Sequence, residues 1–188
     1  MTLLILGLVI FLGVHSIGIV APTFRETARN RLGEGGWKGL YGLASLVGFV
    51  LVCYGFGLAR RSPVVLYVPP AALRHVAMLL MLPVFPLLFA VYLPGRLKAA
   101  VKHPMLAAVK VWGLAHLLAN GNLGDVLLFG GFLAWAIVDR ISLKGRALPP
   151  AAAGRSSNDV VAVVLGLATY ALFVLWAHKL LFGVSPLG

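Results

Sequence analysis

Apolar runs alternate with short basic stretches along the whole chain. The first run covers residues 2–21, and polar residues 22–36 follow with Arg25, Glu26, Arg29, Arg31 and Glu34. A second run covers 37–58, opened by Trp37 and Lys38 and closed by Arg60-Arg61-Ser62-Pro63. Residues 64–68 are apolar but too few to cross a bilayer, which takes about 20 residues, so they read as an interfacial segment before Pro69-Pro70. The third long run, 71–91, contains Pro83 and Pro86, which predict a kink of the kind membrane helices tolerate. Arg96, Lys98 and Lys102 separate it from two shorter apolar arms, 104–119 and 123–138. A loop rich in Pro, Ala, Gly and Ser covers 140–158, and the last run covers 160–182.

The pattern predicts an all-α, polytopic integral membrane bundle of about six transmembrane helices, forming a single domain over residues 1–188. The two arms form a tight helical hairpin about Asn120-Gly121-Asn122. Gly121 suits a left-handed residue ending the first arm. Asn122 suits an N-cap for the second, with Asp125 near its positive dipole end. Each arm is ~24 Å long at ~1.5 Å per residue, short for a crossing. A re-entrant hairpin is therefore the alternative to two full spans.

Composition agrees. The 188 residues are 61% hydrophobic and 11% charged, with a mean hydropathy of +0.98, against roughly 45–50% apolar in soluble domains. The first run has no positive n-region and is too long for a cleavable leader, so it reads as a retained span. The single cysteine, Cys53, excludes an intramolecular disulfide and a cysteine-based metal cluster, and its apolar helix suits an inert thiol. The net charge of +11 sits in short loops, where it reports orientation and contact with anionic lipid rather than nucleic acid. Eleven Lys and Arg residues follow the first, third and fifth runs: Arg25, Arg29, Arg31, Lys38, Arg96, Lys98, Lys102, Arg140, Lys144, Arg146 and Arg155. The positive-inside rule puts these in the cytoplasm and both termini in the periplasm.

Ionisable groups inside spans are costly and point to function. The chain has five histidines, His15, His75, His103, His116 and His178, and only five acids. Neutral imidazoles in an apolar bundle suit metal or haem ligation. His15 shares a face with Phe11 and Gly18. His116 shares one with Met105, Val109, Trp112 and Asn120, an aromatic and an amide that suit a flat macrocycle or plain packing alike. His75, His103 and His178 lie near interfaces, where water or headgroups satisfy them. Lys110 can snorkel, or pair with an acid or a haem propionate. By depth, His15 lies ~9 Å and His116 ~18 Å from the inner interface at ~1.5 Å per residue, which favours His75 as the partner of His116.

The segments Val14-His15-Ser16, Lys102-His103-Pro104-Met105-Leu106, Leu114-Ala115-His116-Leu117-Leu118-Ala119-Asn120-Gly121-Asn122 and Leu127-Leu128-Phe129-Gly130-Gly131-Phe132 resemble the NnrU family of bacterial membrane proteins. The resemblance covers essentially the whole chain. It implies a place in the bacterial inner membrane and a link to denitrification and nitric oxide metabolism. The family is also similar to zeta-carotene isomerase, a membrane enzyme with haem b. Carried over, its iron ligands are His15 and His116, and the resemblance thus overrides the depth argument for His75; the residue spacing adds Trp112, Asn120 and Lys110 as candidates about the cofactor. It implies nitric oxide, a redox partner or a hydrophobic polyene as partners besides the bilayer. Where the isomerase has a cysteine three residues before its second ligand, this chain has Gly113, which cannot ligate, so isomerisation by ligand exchange is not implied and an enzymatic activity stays open.

Two other classes remain. Lys102-His103-Pro104 resembles the Arg-His-Pro-x-Tyr motif of isoprenylcysteine-type methyltransferases, but Leu106 stands where the tyrosine belongs. A transporter or assembly factor without a cofactor would use Lys110, Asp125 and Asp139 as a polar path, although no inverted repeat is visible.

Overall fold

A computed structural model describes residues 1–145 and 154–188. It is helical throughout, with one isolated bridge and no strand among the described residues. The helices are α1 (Thr2–Val20), α2 (Pro22–Ala59), α3 (Ala71–Tyr92), the short α4 (Arg96–Val101), α5 (Pro104–Ala119), α6 (Leu123–Lys144) and α7 (Ser156–Phe182). Five of them, α1, α2, α3, α6 and α7, are long and apolar enough to cross a membrane; α5 is shorter. They pack in the order α2, α1, α6, α5, α3, α7, each against the next. The central part of the expected 140–158 loop, residues 146–153, lies outside the described residues.

Three expectations need correction. Residues 22–36 are not a loop. Pro22 opens a helix at a position where its missing N–H costs nothing, and the chain stays helical except at Gly33, whose φ of 71° and ψ of 167° turn it sharply before the span. The second arm does not stop at residue 138 but continues to Lys144, giving α6 22 residues, enough to cross. Gly121 has no positive φ. Its lack of a Cβ serves close approach instead, since a methyl there would overlap the Tyr67 carbonyl.

That approach closes one end of the bundle. Leu66 and Tyr67 N–H both donate to the Gly121 carbonyl at 2.9 and 3.1 Å, and Leu123 N–H donates to the Val64 carbonyl at 2.8 Å. The Tyr67 hydroxyl donates to the carbonyls of Leu117 and Asn120 at 2.5 and 2.8 Å. The interfacial segment 64–68 thus satisfies the backbone that the hairpin tip exposes. Asp125, 6% exposed, accepts from Asn122 N–H at 3.2 Å and from Asn122 Nδ2 at 2.9 Å, the capping role expected of this pair.

α3 and α7 solve a different problem. Pro83 lacks an N–H, and Leu82 N–H bonds to the Leu79 carbonyl, one residue short of the regular helical partner. Met78 is left with a free carbonyl, and the Tyr170 hydroxyl of α7 donates to it at 3.0 Å. Gly166 gives Pro86 room to seat, because a Cβ there would lie 2.4 Å from Pro86 N. At the opposite end, Asp159 caps α4 by accepting from Arg96 and Leu97 N–H, both at 2.9 Å.

The tightest packing joins α1 to α2. A Cβ on Gly7 would meet Val52 N at 2.5 Å, one on Gly48 would meet Phe11 N at 2.7 Å, and one on Gly55 would meet Leu4 N at 2.3 Å. Small residues allow this contact where lipid offers no hydrophobic drive. Gly55→Val should therefore force the helices apart and lower the unfolding free energy in detergent by about 1–3 kcal/mol. Gly57→Ala, whose added carbon meets nothing within 4 Å, should be neutral or slightly stabilising. Equal effects of the two substitutions would contradict the packing described.

Candidate functional site

α1 and α6 run parallel. Leu4 and Leu8 share a core with Leu128 and Phe129, Phe11 touches Phe132 at 5.6 Å, and His15 meets the edge of Trp135 at 6.0 Å. The imidazole of His15 also stacks on Phe11 at 4.3 Å and lies 5.4 Å from the Tyr41 ring of α2. Its Nδ1 stands 2.7 Å from the Phe11 carbonyl. A carbonyl only accepts, so Nδ1 carries a proton; in the neutral ring Nε2 then keeps its lone pair.

His116, on α5, repeats the arrangement. Its Nδ1 stands 2.9 Å from the Trp112 carbonyl, and its ring stacks on Phe129 at 4.4 Å and touches Trp112 at 5.3 Å. Phe129 belongs to a π-helical turn, Val126–Gly130, an irregularity common at functional sites. The tautomers are fixed by carbonyls four residues back. The Ser16 hydroxyl donates to the Leu12 carbonyl at 2.7 Å, and Asn120 Nδ2 donates to the His116 carbonyl at 2.9 Å. Both are occupied with their own helices, as short polar side chains in helices often are.

The two histidines make no ring contact with each other. Their neighbours on α6, Phe129 and Trp135, are six positions apart, or ~9 Å at ~1.5 Å per residue. Between them runs a file of rings: Phe11 and Phe132, then Trp112, 5.7 Å from Phe132. Each imidazole bonds back towards its own N-terminus, and α1 and α5 are antiparallel, so the two rings lean towards one another's level. Lys110 is half-buried on α5 with no bonded partner among the described residues. His75 is exposed on α3 and touches neither histidine. His178 Nδ1 bonds the Val184 carbonyl at 2.8 Å near the chain end.

Sequence reasoning missed the ground around His15. A cleft of about 490 Å³ opens there, lined by Val14, His15, Ile17, Gly18, Ile19, Arg25, Arg29, Glu34, Trp37, Lys38, Tyr41 and Asp139. That volume falls in the range of roughly 300–1,000 Å³ usual for small-ligand and cofactor sites. Lys38 pairs with Glu34 at 2.7 Å, while Arg25, Arg29 and Asp139 form no ion pair among the described residues. On the α6 side of His15, Trp135 Nε1 is buried without a hydrogen-bond partner, as is Ser45 Oγ, one turn from Tyr41 on α2. Such orphans are costly and uncommon. The spacing Phe132, Trp135, Asp139 was the available signal: one face of α6, whose partner helix the sequence does not name.

A haem tests well against the donors and less simply against the space. Two imidazoles with Nδ1 engaged and no hydrogen bond at Nε2 among the described residues, aromatic walls and a mouth with Arg25 and Arg29 are suitable residues. The cleft, however, contains His15 and not His116. No group of three or more His, Cys, Asp or Glu able to hold a metal ion occurs among the described residues.

A protein-family model described as NnrU protein matches residues 3–186. No curated protein and no solved structure matched the chain.

Two outcomes follow. Ser45→Ala should stabilise the ligand-free protein by about 1 kcal/mol in detergent unfolding, by removing an unsatisfied buried hydroxyl; unchanged or reduced stability would show that the hydroxyl has a partner. His103, at the start of α5 beyond the membrane-spanning helices, is held below its ordinary pKa by burial and by the Arg140 and Lys102 charges, with Asp139 opposing. The unfolded chain then binds a proton more readily, so stability should be level above pH ~6.5 and fall as pH drops below it. His103→Gln should flatten that decline, and a decline of unchanged slope would assign it to other groups.

Proposed function

The chain belongs to the NnrU family, its model matching residues 3–186, and from that membership and the site we propose a haem-b protein of the bacterial inner membrane. The eleven-cation end faces the cytoplasm, and both termini face the periplasm. His15 and His116 would hold the iron. The observation that carries this reading is their shared state: each Nδ1 is bonded to a helical carbonyl, at 2.7 and 2.9 Å, leaving Nε2 free to bind iron. Trp112 and Phe129 wall the His116 side, and Phe11, Tyr41 and Trp135 wall the His15 side. Bound haem would supply electron transfer or, with one imidazole released, a coordination site for nitric oxide or a polyene. The chain's own residues orient the imidazoles, hold their tautomers and exclude water.

The cleft favours a second reading, in which His15 alone holds the iron. Phe11, Phe132 and Trp112 must turn aside for a macrocycle gripped by both histidines, whereas the cleft beside His15 already has volume. Detergent-purified protein should show a Soret band. If both histidines ligate, His15→Ala and His116→Ala should each convert a low-spin spectrum to a high-spin one. If His15 acts alone, only His15→Ala should change the band. No Soret band, or one unchanged in the double variant, would overturn both readings.

A further inference from the structure

We propose that Arg25 and Arg29 form an anion clamp at the mouth of the His15 cleft, holding the acidic end of an amphiphile whose apolar body lies against α1 and α2. The inference deepens the reading above, since haem carries two carboxylates, but it rests on the cleft and not on iron.

Arg25 and Arg29 are four residues apart and so project from one side of the 22–32 helix into a single opening. Neither has an acidic partner among the described residues. The acid closest in sequence to the span, Glu34, is taken by Lys38 at 2.7 Å. The cleft lining carries Arg25, Arg29 and Lys38 against Glu34 and Asp139, an excess of positive charge, and its two guanidinium groups, unpaired, are the side chains best suited to fork onto a carboxylate or phosphate. Below it the walls are Val14, Ile17, Ile19, Trp37 and Tyr41, apolar or aromatic. Trp135, whose Nε1 is a buried donor with no acceptor, touches the His15 ring at 6.0 Å but is not part of the cleft lining. An acidic head and an apolar body match this order of surfaces. Lys110 is not among the residues lining the cleft, so it gives way to Arg25 and Arg29 as the partner of a ligand carboxylate.

The probe is iron-free protoporphyrin IX, which histidine cannot ligate through a metal, compared with its dimethyl ester, which lacks the acids. Binding is read from quenching of tryptophan fluorescence in nanodiscs of phosphatidylcholine alone. The free acid should bind at least about tenfold more tightly than the ester, as expected for a charge-assisted pair. Arg25→Gln with Arg29→Gln should abolish that preference, and Arg60→Gln with Arg61→Gln, at the other end of the bundle, should keep it. In the unaltered protein, salt at about 1 M should abolish it as well, a measurement that needs no variant to fold. Equal binding of acid and ester, or a preference surviving both salt and the Arg25/Arg29 substitutions, would overturn the clamp. Adding phosphatidylglycerol tests the source of the anion. Competition that disappears in the Arg25/Arg29 variant supports the clamp with bilayer phosphate as its occupant; absence of competition supports it with carboxylate ligands. Because the probe carries no iron, failed iron ligation and a failed clamp are told apart.

Discussion

Inside a bilayer a polar group has only the protein to bond to. Most of this structure follows from that constraint. The helices satisfy their own backbones, and several departures from regular helix are met by a specific donor or acceptor. Tyr170 serves the carbonyl that Pro83 frees on Met78. Tyr67 and residues 64–66 serve the carbonyls and amides of the hairpin tip. Asp159 serves the start of α4, and Asp125 serves the start of α6. Ser45 Oγ and Trp135 Nε1 are the buried side-chain atoms left unserved among the described residues; Trp135 touches His15, and Ser45 lies one turn from Tyr41, which also does. A bundle that meets its polar needs almost everywhere and fails beside one histidine marks that place as a site for something else.

The glycines make the site possible. Gly7, Gly48 and Gly55 bring α1 onto α2 at backbone contact, which sets the Tyr41 ring against His15. Gly113 lets α5 close on α6 near Phe129 and Leu133. Gly113 thus has a packing role here. The turn at Gly33 then folds the basic 22–32 helix over the cleft rather than away from it.

Much of this was legible in the sequence, because hydropathy and turn chemistry are local. The long spans, the proline kink in α3, the Asn122 and Asp125 cap and the interfacial 64–68 segment could be read directly. The helix over 22–32 could not, since its charges resemble a loop and only the Gly33 turn reconciles it with the span that follows. Gly121 was read for the wrong property: its need is for space against Tyr67, a partner distant in sequence. The His15 surroundings were hidden for the same reason. His15, Tyr41, Ser45 and Trp135 stand on three helices, and periodicity tells which residues share a face but not which faces meet.

The two imidazoles are the central claim: neutral, protonated on Nδ1, and free on Nε2. Solid-state NMR of protein carrying nitrogen-15 histidine in lipid, with His15 and His116 assigned by substitution, reads this directly. The account predicts a pyridine-like Nε2 and a protonated Nδ1 at both residues in the ligand-free protein, with the Nε2 signals alone lost or strongly shifted on adding haem. A protonated Nε2 at either residue, or two imidazolium rings at neutral pH, would contradict it.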